Sequence, residues 1–504
     1  MTAPPGARGR PAASLAASAV LIAYGAAACG DDPVGQPGPP SGEPAVALAV
    51  SPAPNALSAP LQPVLSITFD RALDPASVSA ADVYVFGRWT GPQTPAIGFA
   101  DGDTRLTLTL PQPFGAGEHV SVALSRDISD AAGRVLPRGF SWSFWTAAGP
   151  GTLDMTAAAP IALRREGEGR IQSYGAYAGD LNADGYSDLL IPNEVSNDLR
   201  VLLNDGSGGY GEAVVVPLTG ANRPSTNEGA DFDRDGAVDL AVGSAANRNV
   251  SVLFGGGDGS LAAGPSLQAD VSVRGLCIAD VDGDADPDII TANRDATGGG
   301  NVTVFRNSGA RSFAEPAVIE AGMDGERACA PGDLNEDGVT DLFVASQAGE
   351  RVAVLFGDGD GGFEVGPPIP VGGGSWMLAS GDVDGDGHVD AVSANLPGSF
   401  SLILGDGAGG IRLAGSWDVG QTPVAIDLGD LDGDGDLDVV TSDFQGNAWT
   451  IWENLGGGSF GNRRTLPASG AGSCAILHDR DGDGDLDISG VDEVDDLVFL
   501  FRNE

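Results

Sequence analysis

The chain of 504 residues has no lysine, only three histidines and only four cysteines. Its 26 basic side chains are therefore all arginine, set against 70 Asp and Glu for a formal charge of −44. Such a surface repels the phosphates of nucleic acid and the headgroups of anionic lipid, which argues against direct binding to either. With so little cysteine no disulfide framework is expected, and Cys277, Cys329 and Cys474 read as small buried side chains on inner strands. Scarce histidine leaves little for general acid–base work. His388 lies inside an acidic loop, His478 directly precedes one, and His119 reads as a surface strand residue. No nucleophile–base pair stands out. A glycoside hydrolase would need two carboxylates facing across one sugar, and the uncommitted acids, such as Glu194, Glu228 and Asp295, are scattered. A chain without catalysis is the expectation.

What is abundant is a short acidic loop, best seen at Asp382, Asp384, Asp386, Gly387 and Asp390. Carboxylates at loop positions 1, 3, 5 and 9, with Gly at the sharp bend of position 6, fold hard oxygens back on one ion. The same pattern recurs at Asp180, Asn182, Asp184 and Asp188, and at Asp231, Asp233, Asp235 and Asp239. It returns at Asp280, Asp282, Asp284 and Asp288, and at Asp333, Asn335, Asp337 and Asp341. The last two are Asp430, Asp432, Asp434 and Asp438, then Asp479, Asp481, Asp483 and Asp487. First aspartates at 180, 231, 280, 333, 382, 430 and 479 keep a period near 50. Up to seven calcium ions are expected. The third site is the least certain, because Ala285 replaces the loop glycine and Pro287 precedes Asp288. An EF-hand is excluded, since position 12 carries no carboxylate and each loop is followed by a short β-prone segment such as Asp438-Val-Val-Thr.

Taken in order, residues 1–29 read as an export signal, with Arg8 and Arg10 before an apolar run ending Ala-Ala-Ala-Cys29. This resembles a bacterial lipoprotein signal, which implies lipidation at Cys29 and an outer-membrane or surface location, with simple secretion as the alternative. Residues 30–45, rich in Pro, Gly and acid, are a tether. Residues 46–149 carry alternating segments such as Leu65–Phe69, Leu106–Leu110 and Phe140–Phe144, bounded by turn residues, as in a sandwich burying one face per strand. The phrases around Phe69-Asp-Arg-Ala-Leu-Asp-Pro75 and Trp142-Ser-Phe144 resemble a bacterial Ig-like domain, which implies a spacer.

From about 155 to 504 each period holds four short apolar segments around its acidic loop and a Gly-rich turn. Four strands per period, seven times, make propeller blades. The last period ends after its third strand, Leu497–Phe501, and Ala159–Leu163 stands ready to supply the missing fourth and close the ring. These repeats resemble the FG-GAP/VCBS family, the fold of the integrin alpha-subunit head, whose calcium positions map onto the loop residues above. The expected fold class is all-β: a small Ig-like β-sandwich followed by a seven-bladed β-propeller with a calcium loop in each blade. The acidic loops join first to second strands and so share one face. On the opposite face, where the family's ligands dock, Arg223, Arg248, Arg274, Arg294, Arg327 and Trp376 are expected in loops. Arg and Trp anchor interfaces or stack on sugars. The expected function is non-catalytic adhesion or binding on the cell surface, to a surface protein or a polysaccharide, with the membrane reached through the lipid anchor alone. The alternative is a carbohydrate-binding lectin-like module, and after it a calcium-dependent polysaccharide-active enzyme.

Overall fold

The structure is a computed structural model that describes residues 42–504. The signal-like segment, Cys29 and all but the end of the tether lie outside the described residues. Residues 42–504 make one compact unit. Among them no helix is long and apolar enough to cross a membrane.

The first part is a sandwich of two four-stranded antiparallel sheets. One holds Ala47–Ser51, Val64–Phe69, Arg105–Thr109 and Ala96–Ala100; the other holds Gly91–Pro92, Val83–Gly87, His119–Leu124 and Phe140–Trp145. Leu65, Ile67 and Phe69 point inward with Leu106, Leu108, Val120, Val122 and Phe144, while Ser66 and Thr68 alternate outward. The second sheet departs from the one-face expectation. Val83–Gly87 is buried along its whole length, because Tyr84, Phe86 and Ala123 pack onto the repeat region against Tyr177, Leu181, Val238 and Ala285.

The repeat region forms seven sheets, each built of consecutive antiparallel strands except at the junction of the ends. Five have four strands, and the fourth sheet gains a short fifth, Ile369–Pro370, on Arg351–Gly357. The first strands are Tyr177–Gly179, Pro224–Ala230, Val273–Ala279, Glu326–Gly332, Gly374–Gly381, Ile426–Gly429 and Gly472–His478. They touch one another in cyclic order, the last returning to the first, so these strands line the axis of a propeller. Second strands such as Asp239–Ser244 are buried on both faces between neighbouring blades, while fourth strands such as Leu261–Gln268 are largely exposed. In the seventh sheet, Gly472–His478, Asp487–Asp492 and Leu497–Arg502 are completed by Ile161–Ala162 and Thr156–Ala157 from the start of the region. Ile161 pairs with Val498 and Ala157 with Phe501, the closing role expected of Ala159–Leu163.

Two expectations need correction. Cys277 and Cys329 are not isolated small side chains: they form a disulfide between the inner strands of the third and fourth blades, with Cα atoms 5.9 Å apart. The inner strands approach so closely there that a Cβ on Gly275 would strike the Arg327 carbonyl. Cys474 is free and half-buried. His119 is not a surface residue either. It lies with its ring 5.0 Å from that of Trp145, and burial lowers its pKa to about 4.

Candidate functional site

In each acidic loop the first aspartate takes a backbone N–H on each oxygen. One donor is always position 6: Gly185, Gly236, Ala285, Gly338, Gly387, Gly435 and Gly484 donate at 2.8–3.2 Å. The other is position 5, as in Asp235 to Asp231 at 3.0 Å, or position 4, as in Gly385 to Asp382 at 2.8 Å. Position 6 has φ between 68° and 101° in every loop, Ala285 included. Ala285 accepts the strained conformation that the other six loops give to glycine. The third loop therefore has the same geometry as the rest, and Pro287 does not disturb it.

The ninth-position aspartate opens the second strand and joins three elements. Its Oδ1 accepts from the backbone where the third strand ends: Asn204 to Asp188, Gly255 to Asp239, Asn307 to Asp288, Gly357 to Asp341, Gly405 to Asp390, Asn454 to Asp438 and Asn503 to Asp487, all at 2.7–2.9 Å. Its Oδ2 accepts from loop position 2 in six loops, as in Leu431 to Asp438 at 3.0 Å. The seventh loop differs, because position 2 is Arg480. There Asp487 Oδ2 accepts no hydrogen bond and lies 3.3 Å from Arg480 Nη2. Arg502 also pairs with Asp481 at 3.1 Å and Asp483 at 2.8 Å.

Three carboxylate oxygens come within 4.8 Å of one another in five loops: at Asp231, Asp233 and Asp239; Asp280, Asp282 and Asp288; Asp382, Asp384 and Asp390; Asp430, Asp432 and Asp434; and Asp479, Asp481 and Asp483. The loops at Asp180 and Asp333 hold Asn182 and Asn335 at position 3 and keep the same hydrogen bonds. Burial, then neighbouring carboxylates, push these groups up: to about 6 for Asp231, about 7 for Asp280, Asp188 and Asp390, and about 8 for Asp239 and Asp438. Buried Asp282 Oδ1 and Asp481 Oδ1 have no hydrogen-bond partner. An all-oxygen, convergent, partly desolvated donor set of this kind fits a hard divalent cation such as calcium.

The Ig-like sandwich and its exit segment reach all seven loops. Asp180 N donates to Trp89 O at 2.7 Å and Asp231 N to Tyr84 Oη at 3.2 Å. Arg126 N reaches Gly283 O, Ser141 N reaches Gly338 O, and Asn55 Nδ2 reaches Gly387 O, at 2.8–2.9 Å. Gly151 N donates to Asp432 O and Gly149 N to Gly484 O. The domain is therefore a cap on the acidic-loop face rather than a separate spacer. The axial channel beneath it is lined by both parts. There Arg88 pairs with Asp427 at 2.9 Å, and Glu228 is pushed up to about 7 by burial.

At the opposite end the channel opens into a mouth of about 340 Å³. Arg223, Arg274, Arg294, Arg327 and Trp376 converge on it, whereas Arg248 is exposed and does not line it. Four of the five are not in loops: Arg294 ends the strand Asp288–Arg294, and the other three lie on inner strands. Arg274, Arg327 and Trp376 occupy the irregular step near the start of an inner strand, where the pairing register shifts between Val273 and Gly275, Glu326 and Ala328, and Ser375 and Met377. A bulge of this kind re-aims one side chain. Each lies six residues before its loop's first aspartate, as do Tyr174, Ser225 and Val424, which also line the mouth. A second ring comes from fourteen residues after that aspartate: Glu194, Ala245, Arg294, Gln347, Phe444 and Glu493. Sequence reasoning that grouped arginines by loop missed Tyr174, Gln347 and Phe444; superposing the repeats on their first aspartate finds all of them.

The mouth is polarised. On one side Glu194 binds Arg223, Gln172 donates to Glu194 at 2.8 Å and to Glu493 at 2.9 Å, and Arg170 lies 3.7 Å from Glu493. On the other, Arg327 stacks on Trp376 with its guanidinium carbon 3.3 Å from the ring centre, and Trp376 Nε1 donates to Tyr174 Oη at 2.7 Å. Burial, and then the neighbouring Arg274 and Arg294 charges, lower the pKa of Arg327 to about 10 against the opposing pull of Tyr174.

A bacterial Ig-like domain model matches residues 41–146. An FG-GAP-like repeat model matches six overlapping windows, 180–242, 231–291, 280–344, 333–393, 382–441 and 430–489. Among solved structures the chain is similar to one from the crystal structure of BBS1N in complex with ARL6DN, at 11% identity over 69% of this chain and 97% of that one, TM-score 0.49. It is also similar to an Agrocybe aegerita lectin described for recognition of non-reducing terminal N-acetylglucosamine, at 18% identity over 78% and 92%, TM-score 0.41. A functionally unknown protein from Desulfotomaculum acetoxidans matches at 12% identity over 60% and 92%, TM-score 0.42. With its family matches running from the first acidic loop to the last, the chain belongs to the FG-GAP-like repeat family and carries a bacterial Ig-like domain ahead of the repeats.

Proposed function

We propose that this is a calcium-stabilised, non-catalytic binding protein of the bacterial surface, whose partner docks at the mouth opposite the acidic loops. The observation that carries this reading is convergence. Five of the six residues expected to contact a partner line one opening, while the other end of the channel lies under the Ig-like cap. Arginine and tryptophan are the side chains that anchor interfaces, and a cavity of about 340 Å³ is in the range of small-ligand sites. The histidines lie elsewhere: His119 against Trp145, His388 beside Glu336, and buried His478 between Ser187 and Ser489. That distribution favours binding over catalysis. Calcium in the seven loops has a structural role, neutralising crowded carboxylates where blades, cap and strands meet. The Cys277–Cys329 disulfide suits an oxidising compartment, in keeping with export and a lipid anchor at Cys29. A lectin-like module is the second reading, favoured by the sugar-sized mouth and its aromatic Trp376 and Phe444.

A glycan array probed with the full chain in millimolar calcium, alongside a Trp376→Ala variant, tests the reading. Binding to one glycan class, lost in the variant, supports docking at the mouth and the lectin form of it. Glycan binding that the variant retains would move the docking site away from the mouth.

A further inference from the structure

Buried guanidinium groups in this protein are matched by carboxylates almost everywhere. Arg200, 1% exposed, is held by Asp198 and Glu168; Arg88 pairs with Asp427, and Arg480 with Asp487. Three arginines in the mouth break that pattern. Arg274 and Arg327 form no ion pair among the described residues, and Arg294 reaches only the neutral amide of Gln347. The Nε atoms of all three are buried without a hydrogen-bond acceptor. Arg327 is only 6% exposed yet lines the opening. In a chain with 70 acidic residues, carboxylates are not in short supply. The two at this opening, Glu194 and Glu493, are engaged by Arg223, Gln172 and Arg170 on the far side. Desolvating several like charges without counter-charge is costly, and that cost is recovered when an anion brings charge-assisted hydrogen bonds to them.

We propose that the mouth holds an acidic sugar, with its carboxylate seated among Arg274, Arg294 and Arg327. This rests on the reading of the mouth as the docking site. Planar guanidinium groups are suited to a planar carboxylate. The depth of Arg327 requires a slender, projecting anion, which a terminal uronic acid residue presents and a folded protein surface does not. Around the arginines, the hydroxyls of Ser225 and Thr422 form no hydrogen bond within the described residues and line the same opening, ready for sugar hydroxyls. The side chains of Phe444 and Val424 supply apolar surface for a ring face. Glu194 and Glu493 on the opposite side repel a second anion and so fix which way the sugar enters.

The test is calorimetric titration of the full chain, at constant millimolar calcium, with glucuronate and galacturonate. Glucose, galactose, acetate and a short peptide with a free C-terminus are the comparison probes. Binding of a uronate at least about tenfold tighter than its neutral parent, and tighter than acetate or peptide, is expected. Arg327→Gln and Arg274→Gln should each lose about tenfold or more, with melting temperature unchanged or raised because an unmatched charge is removed. Should Arg327→Gln fail to fold, the half-exposed Arg274 carries the test. Equal binding of uronate and neutral sugar, unaffected by Arg274→Gln but lost in Trp376→Ala, would overturn the acidic-sugar inference while leaving the docking mouth standing. Peptide binding that matches or exceeds the uronate would overturn the sugar assignment, and no binding by any probe would overturn the inference altogether.

Discussion

The aspartate at loop position 9 answers two demands at once. Asp438 accepts Asn454 N on one oxygen and Leu431 N on the other, yet burial and its loop neighbours raise its pKa to about 8. An asparagine there keeps one acceptor oxygen and leaves one of the two buried N–H groups unmatched. Asp438→Asn should therefore cost about 1–3 kcal/mol in chemical denaturation, with a further loss in calcium as the sixth loop gives up its ion. The loop carboxylates also set a pH dependence. Their folded pKa values lie above the ordinary 3.8, so without a cation the folded state holds protons that the unfolded chain has released. Stability contributed in this way is present at low pH and falls as pH rises from about 4 to about 8. In chelator the melting temperature should drop across that window. In excess calcium, which favours the ionised carboxylates, most of that drop should vanish.

The acidic loops were legible as residues because the same residue types return at the same spacing within every loop. The mouth was legible only in part. Arg223, Arg274, Arg294, Arg327 and Trp376 were found by charge and aromaticity, but Arg248 by the same criteria points elsewhere. For Arg274, Arg327 and Trp376 what decides the matter is the strand bulge six residues before the loop's first aspartate, and a bulge leaves no mark in a pattern of single residues.

Among elements, the closing strand matters most. Ile161–Ala162 pairs with Val498 and Leu497, joining the two ends of the repeat region in one sheet. Without it, Leu497–Arg502 would present an unpaired edge and the ring would lose its latch. Deleting residues 155–166 should lower the melting temperature by about 10 °C or more; an unchanged transition would show that the ring closes by other contacts. This latch could be read from the sequence because the last repeat visibly lacks a strand. The disulfide could not. Cys277 and Cys329 lie in different repeats, 52 residues apart, and meet only because inner strands of neighbouring blades run side by side at the axis. Likewise Val83-Tyr-Val-Phe86 carries no polar alternation, the mark of a strand buried on both faces, which assigns the second sandwich sheet to an interface.

At the scale of the whole molecule, sandwich and propeller are joined through the acidic loops themselves. Trp89, Tyr84, Arg126, Ser141, Asn55, Gly149 and Gly151 each bond a different loop, so order in the loops and seating of the cap are coupled. Chelation should raise amide hydrogen exchange along Val83–Gly87 and His119–Leu124 as well as in the loops, while Leu65–Phe69 in the far sheet changes less. The loops are not equivalent in this respect. Arg502 sits on positions 3 and 5 of the seventh as Arg311 does in the second. Among the described residues, however, only the seventh has an arginine, Arg480, on its ninth-position aspartate, so it should be the last to fill, whereas the third, despite Ala285, keeps the hydrogen bonds of the others.

The account stands most directly on one experiment: the melting temperature and bound-ion count of the full chain, in chelator and across a calcium titration. Each site filled at a hundredfold over its dissociation constant adds about 2.7 kcal/mol. The account predicts several ions bound and a rise of about 10 °C or more. Equal melting temperatures in chelator and in excess calcium would contradict it.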